Sequence, residues 1–182
     1  MMFATSLRPH RVLLIVVVAT AAGVLACRDT TTPKQFSTAE IGEPKFTSAV
    51  GFSGATVGRG NVGAFHIKSK TDTYDVDLKS KDNSDILVTN LAIAAGGHSG
   101  WHYHPGPVLV IVKTGAVTLY HANDPSCTGQ RYTAGTVFVE EGGVVHIARN
   151  EGTVDETMVA SSFLPAGAPG RIDAEAPGNC AF

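Results

Sequence analysis

The chain has little charge and no surplus of either sign. Against 16 Asp+Glu stand 14 Lys+Arg, a formal net charge of −2, and charged residues make up only 16% of the chain. No basic stripe is present, so nucleic acid is excluded as an expected partner. Internal repeats are absent, which removes solenoids and propellers. At 182 residues the chain suffices for one domain with a real core and is too short for two comfortable ones. What is plentiful is glycine, at 20 residues, set between short Val/Thr/Tyr runs. That mixture points to an all-β domain rather than a helical bundle.

The N-terminus reads as a targeting segment. Arg8, His10 and Arg11 form a positive flank, and residues 12–25 are apolar except for Thr20 and Gly23. A membrane-spanning helix needs about 20 apolar residues, and this run falls short. It ends in Val24-Leu25-Ala26-Cys27, which resembles a bacterial lipobox with Leu25 as its less usual member. On that resemblance Cys27 is the lipidation site and the mature protein is exported and anchored at the cell envelope, on a periplasmic or extracellular face. An ordinary signal peptide or an uncleaved anchor are the other readings. Acyl chains contribute about 0.8 kcal/mol per buried CH2, so two or three hold stably. With Cys27 acylated, Cys127 and Cys180 remain. Export to an oxidising compartment makes that even pair a disulfide candidate, two free thiols being the alternative.

Residues 28–50 carry Thr30-Thr31-Thr32-Pro33 and no period, as a tether would. The Gly-rich stretch 52–63 reads as a loop or an edge strand. Strands are expected at 74–78, 86–94, 108–112, 116–120, 136–139, 144–148 and 157–164, with turns at 113–115 and 140–143. Short strands at this spacing build a sandwich or barrel. The tail after 165 holds Pro169, Pro177 and Gly178 and is expected to wrap the surface.

Three of the seven histidines carry the functional argument. His102 and His104 flank Tyr103, and on a strand alternate side chains share a face, so both imidazoles point one way. Such a pair alone is weak evidence. Its surroundings strengthen it: Gly96 stands six residues before His102, Gly115 eleven after His104, and a second segment holds Gly135, Gly143, His146 and Asn150. These spacings resemble the two cupin motifs, G-x5-H-x-H-x3-E-x6-G and G-x5-P-x-G-x2-H-x3-N. The departures are Val108 where the motif has Glu, and Glu141 where it has Pro. The resemblance covers about residues 70–165, and the stretch from Gly100 to Pro107 is similar to a group of small bacterial cupins.

The resemblance implies a single cupin-type jelly-roll β-barrel over 51–165, preceded by a signal peptide (1–26) and a tether (27–50) and followed by a tail (166–182). It also implies a divalent metal, Fe, Zn, Mn or Ni, held by His102, His104 and His146. Position 108 shares the inward parity of 102 and 104, and Val cannot ligate. The site is then three neutral imidazoles with a net charge of about +2, suited to an anionic or enolisable ligand. Glu140 and Glu141, on a turn, are expected to be solvated. Some cupin-type thiol and diketone dioxygenases resemble this three-histidine pattern. The leading expectation is therefore a metal-dependent dioxygenase acting on a small molecule. The alternative is a non-catalytic binding or sensing lipoprotein, and a metal-assisted isomerase or hydrolase is a third possibility. A homodimer fits the family's habits.

The remaining histidines and apolar residues carry blander expectations. His98 is an ordinary residue or a proton carrier at the pocket mouth, His66 and His121 are ordinary, and His10 belongs to the leader. Leu91, Ile93, Val110, Val112, Phe138, Met158 and Phe163 are candidate core or pocket residues. Trp101 is expected to pack on the outer side of the metal strand.

Overall fold

The computed structural model describes residues 45–182; the leader, Cys27 and most of the tether lie outside the described residues. Among those described there is no helix, and the chain runs through ten strands. A long hairpin comes first: β1 (Val50–Lys70) pairs antiparallel with β2 (Asp75–His98) along its whole length. The Gly-rich stretch 52–63, for which loop and edge strand are the two readings, lies in β1, which among the described strands pairs with β2 alone and is an edge strand. Its register slips three times between Thr56 and Phe65. Glycines concentrate there because a bulge needs backbone freedom rather than a side chain.

The remaining strands are β3 (His102–Tyr103), β4 (Val108–Thr114), β5 (Ala116–His121), β6 (Gln130–Thr133), β7 (Val137–Glu140), β8 (His146–Arg149), β9 (Glu156–Pro165) and β10 (Ile172–Asp173). Their hydrogen-bonded order is β10-β3-β8-β2-β9-β4-β7, with β5 joining β8 to β6. The sheet curls over itself as a barrel-like jelly roll. Alternation fills its interior: Val108, Val110 and Val112 of β4 are buried while Leu109 and Ile111 face out. Met158 and Ala160 of β9, Phe138 of β7, Val117 and Leu119 of β5, Ala148 of β8 and Ile93 of β2 complete the core. Each buried Val or Leu side chain contributes roughly 1.5–3 kcal/mol. Trp101 is 2% exposed and lies outside that core cluster.

The tail does more than wrap the surface. Asp85 accepts the Gly167 N–H at 2.9 Å and fixes where the tail leaves β9. Cys180 is bonded to Cys127 in the loop after β5, and Asn179 donates to the His121 and Asp124 carbonyls nearby. Between these two anchors β10 pairs with β3.

One polar side chain sits inside the barrel without a partner. Glu156, on the inward face of β9, is fully buried, and neither carboxylate oxygen has a hydrogen bond. Burial pushes its pKa up to about 8 from an ordinary 4.5, so it is a neutral acid at pH 7. A group with a raised folded-state pKa stabilises fully below the unfolded value and loses that contribution as pH rises through the folded one. Stability should therefore fall between about pH 4.5 and pH 8, by up to about 1.4 kcal/mol per pH unit from this group. Glu156→Gln should flatten that slope in chemical denaturation series, and equal slopes in both proteins would contradict the assignment.

Candidate metal centre

The motif glycines come first, because they aim the strands. Gly96, Gly115, Gly135 and Gly143 all have left-handed backbones, with φ of 74, 73, 85 and 79°. Side-chain-bearing residues rarely adopt such angles, which is why the spacing carries glycine there. Asn150 of the second motif is 1% exposed and works as a clamp. Its amide donates to the carbonyls of Ile93 (2.9 Å) and Val154 (2.8 Å) and accepts the Gly152 N–H at 3.0 Å. It thus ties β2 to the turn that follows β8.

The structure brings His102, His104 and His146 together. His102 and His146 are direct partners across β3 and β8, with ring centroids 4.5 Å apart. His104 follows β3 and stands 4.9 Å from His102 and 5.2 Å from His146. One ring nitrogen from each lies within 4.8 Å of the others. All three residues are buried. Val108, at the position of the missing acid, faces the same cavity and is 1% exposed.

Each imidazole is oriented from behind. Nδ1 of His102 meets the Gly100 carbonyl at 2.9 Å, Nδ1 of His104 the Gly170 carbonyl at 2.6 Å, and Nδ1 of His146 the Val144 carbonyl at 2.8 Å. A carbonyl can only accept, so the proton sits on Nδ1 and, in the neutral ring, Nε2 presents a bare lone pair. Burial, with smaller contributions from His146 and Arg171, pushes the His102 pKa down to about 3, so this ring is neutral at pH 7. Nε2 of His104 and of His146 are buried and have no hydrogen-bond partner. Buried imidazole nitrogens converging with lone pairs inward form a donor set that fits a divalent metal.

Two parts of the site were not read from the sequence. The first is Glu140. It is not a solvated turn residue: it closes β7 on the inward face and is 6% exposed. Its carboxylate oxygens lie 3.1 Å from Nε2 of His104 and 3.2 Å from Nε2 of His146. Burial alone would raise its pKa, but the two imidazoles more than offset that and hold it below the ordinary carboxylate range. Burial likewise would lower His146, and the Glu140 carboxylate pulls it up instead. The available signal was parity with Phe138, hidden by ending the strand one residue early at Val139. The second missed part is the tail, whose Gly170 orients His104 and whose Arg171 lines the cavity. No motif marks it.

The cavity holds about 340 Å³ and is walled by Phe52, Leu87, Leu91, Val110, Phe138 and Met158. His98 is not among its lining residues; its Nδ1 accepts the Gly100 N–H at 3.1 Å, a local structural role. His66 pairs with Asp77 at 2.7 Å on the outer hairpin. His121 is the cross-strand partner of His146, with ring centroids 6.2 Å apart, so it borders the site more closely than its surroundings in sequence imply. Asn150→Ala should leave three backbone groups unpaired and lower stability by about 2–4 kcal/mol. Metal content per folded chain should be unchanged, as elemental analysis beside thermal unfolding would show.

A cupin domain family matches residues 90–162. No curated protein matches the chain. Among solved structures, an uncharacterised conserved protein with a double-stranded β-helix domain from Klebsiella pneumoniae is 21% identical, with 63% of this chain and 87% of that one covered and a TM-score of 0.43. An oxalate oxidase is 24% identical over 48% of this chain and 45% of its own, with a TM-score of 0.41. The polyketide cyclase RemF from Streptomyces resistomycificus is 13% identical over 52% and 63%, with a TM-score of 0.43. The chain thus spans less than two thirds of either enzyme's length. The matched segment carries both histidine motifs on the strands of a barrel-like sheet, and the domain is a cupin domain, a three-histidine variant with valine at the first motif's acidic position.

Proposed function

We propose that this protein binds one divalent metal on His102, His104 and His146 and acts there on a small, partly apolar anion, as a non-haem metal-dependent dioxygenase. The observation that carries the metal is the set of Nε2 lone pairs, each aimed by a backbone carbonyl behind its ring. When bound, the metal would supply Lewis-acid or redox chemistry at positions left open to substrate.

The chain's own residues define what enters. Apolar walls give affinity for a compact carbon frame. Arg171 supplies positive charge at the cavity wall, its guanidinium held by the Ser99 carbonyl at 3.0 Å and by Asp173. Arg171 and the metal together favour a carboxylate or enolate. The lipobox at Cys27, with the Cys127–Cys180 pair, supports an exported and lipid-anchored protein.

One observation favours the second reading, capture of a small molecule without turnover. Both oxygens of Glu140 are engaged with imidazoles, and among the described residues no other carboxylate lines the cavity. A proton acceptor for substrate is therefore not at hand, and chemistry would depend on the metal alone.

Elemental analysis of the purified chain should give close to one metal per chain, falling at least about tenfold in His102→Ala, His104→Ala and His146→Ala. The iron-loaded protein should consume O2 with a 1,3-diketone, a thiol or a phenolic acid. Metal retained by all three variants would overturn the site, and tight binding of such anions with no O2 uptake would leave the capture reading in place of the enzyme.

A further inference from the structure

The acid missing from position 108 has a counterpart directly across the sheet. Val108 of β4 and Glu140 of β7 are register partners, and both face inward. Side chains opposite one another on one face of an antiparallel pair start about 5 Å apart, so either position reaches the same volume. The carboxylate at 140 does reach it, with one oxygen beside each of two imidazoles.

The chemistry of those contacts is unusual for an ion pair. Nε2 of His104 and His146 is a lone pair when Nδ1 holds the proton, and a carboxylate oxygen is also an acceptor. Acceptors facing acceptors in a buried site repel unless something positive lies between them. A proton on Nε2 meets that need in the metal-free site, and a divalent ion held by both groups would displace it. With metal–ligand bonds of about 2.1 Å, adjacent donors are separated by about 3.0 Å in an octahedron and about 3.4 Å in a tetrahedron. The observed 3.1 and 3.2 Å fall within that interval.

We propose that Glu140 is the fourth protein ligand, so that the centre is three histidines and one carboxylate, with the acid moved from β4 to the facing position on β7. The inference rests on the metal reading above and deepens it. The site charge becomes +1 rather than +2, and an octahedral ion keeps two open positions where one carboxylate oxygen binds, or one where both do, rather than three. An oxygen donor beside imidazoles suits Fe2+, Mn2+, Ni2+ or Zn2+ and disfavours Cu+. Val108 then leaves an apolar wall where the motif acid would stand.

The register pair supplies its own test. Apo protein is titrated with Co2+ alone, reading affinity and the visible ligand-field bands, in wild type, E140V, E140Q and the exchange variant V108E/E140V. Circular dichroism of the metal-free proteins reports folding, and E140Q keeps the shape of the side chain should E140V fold poorly. Loss of Glu140 should weaken Co2+ binding at least about tenfold and shift the bands, and V108E/E140V should restore both toward wild type. Bands unchanged in folded E140V or E140Q, whatever the affinity, would overturn the ligand role while leaving the histidine site standing. A wild-type chain that takes up no Co2+ would instead overturn the metal reading, and this inference with it.

Discussion

Three backbone carbonyls decide what this barrel can do. Gly100, Gly170 and Val144 each accept a proton from the Nδ1 of one histidine, and in doing so turn three Nε2 lone pairs toward a common point. An imidazole in water exchanges tautomers freely, and one held this way cannot. The left-handed glycines, the Asn150 clamp and the pairing of β3 with β8 all place those carbonyls and rings. Burial then makes the arrangement costly to leave without a cation, because polar atoms removed from water need a partner.

The tail shows how such a centre can depend on residues far away in sequence. Gly170 lies 66 residues from the histidine it orients. It is held between the Asp85 contact at Gly167 and the Cys127–Cys180 bond, with β10 paired to β3 in between. Arg171 reaches the cavity from the same segment. The residue that orients His104 and the one that lines the cavity are thus neighbours on one segment anchored at both ends.

Much of this was legible in the sequence, for physical reasons. Glycine at 96, 115, 135 and 143 marks backbone angles that other residues resist, so the spacing of the glycines reports where the chain turns. Alternation placed Val108 on the inner face, and the resemblance to the cupin motif marked it as standing where the acid would be. Alternation failed at Glu140, since one residue of strand length decides whether a carboxylate is solvated or buried. At β1 the glycines left loop and edge strand both open, and pairing with β2 alone among the described strands makes it an edge strand. Nothing local predicts that the tail returns to the site, because that contact depends on tertiary closure alone.

The most direct measurement is an anomalous difference map from crystals of the chain grown with Zn2+ or Mn2+, collected at the metal's absorption edge. The account predicts one strong peak per chain within about 2.0–2.3 Å of Nε2 of His102, His104 and His146. A peak at other residues, or none in crystals whose three rings keep their positions, would contradict it.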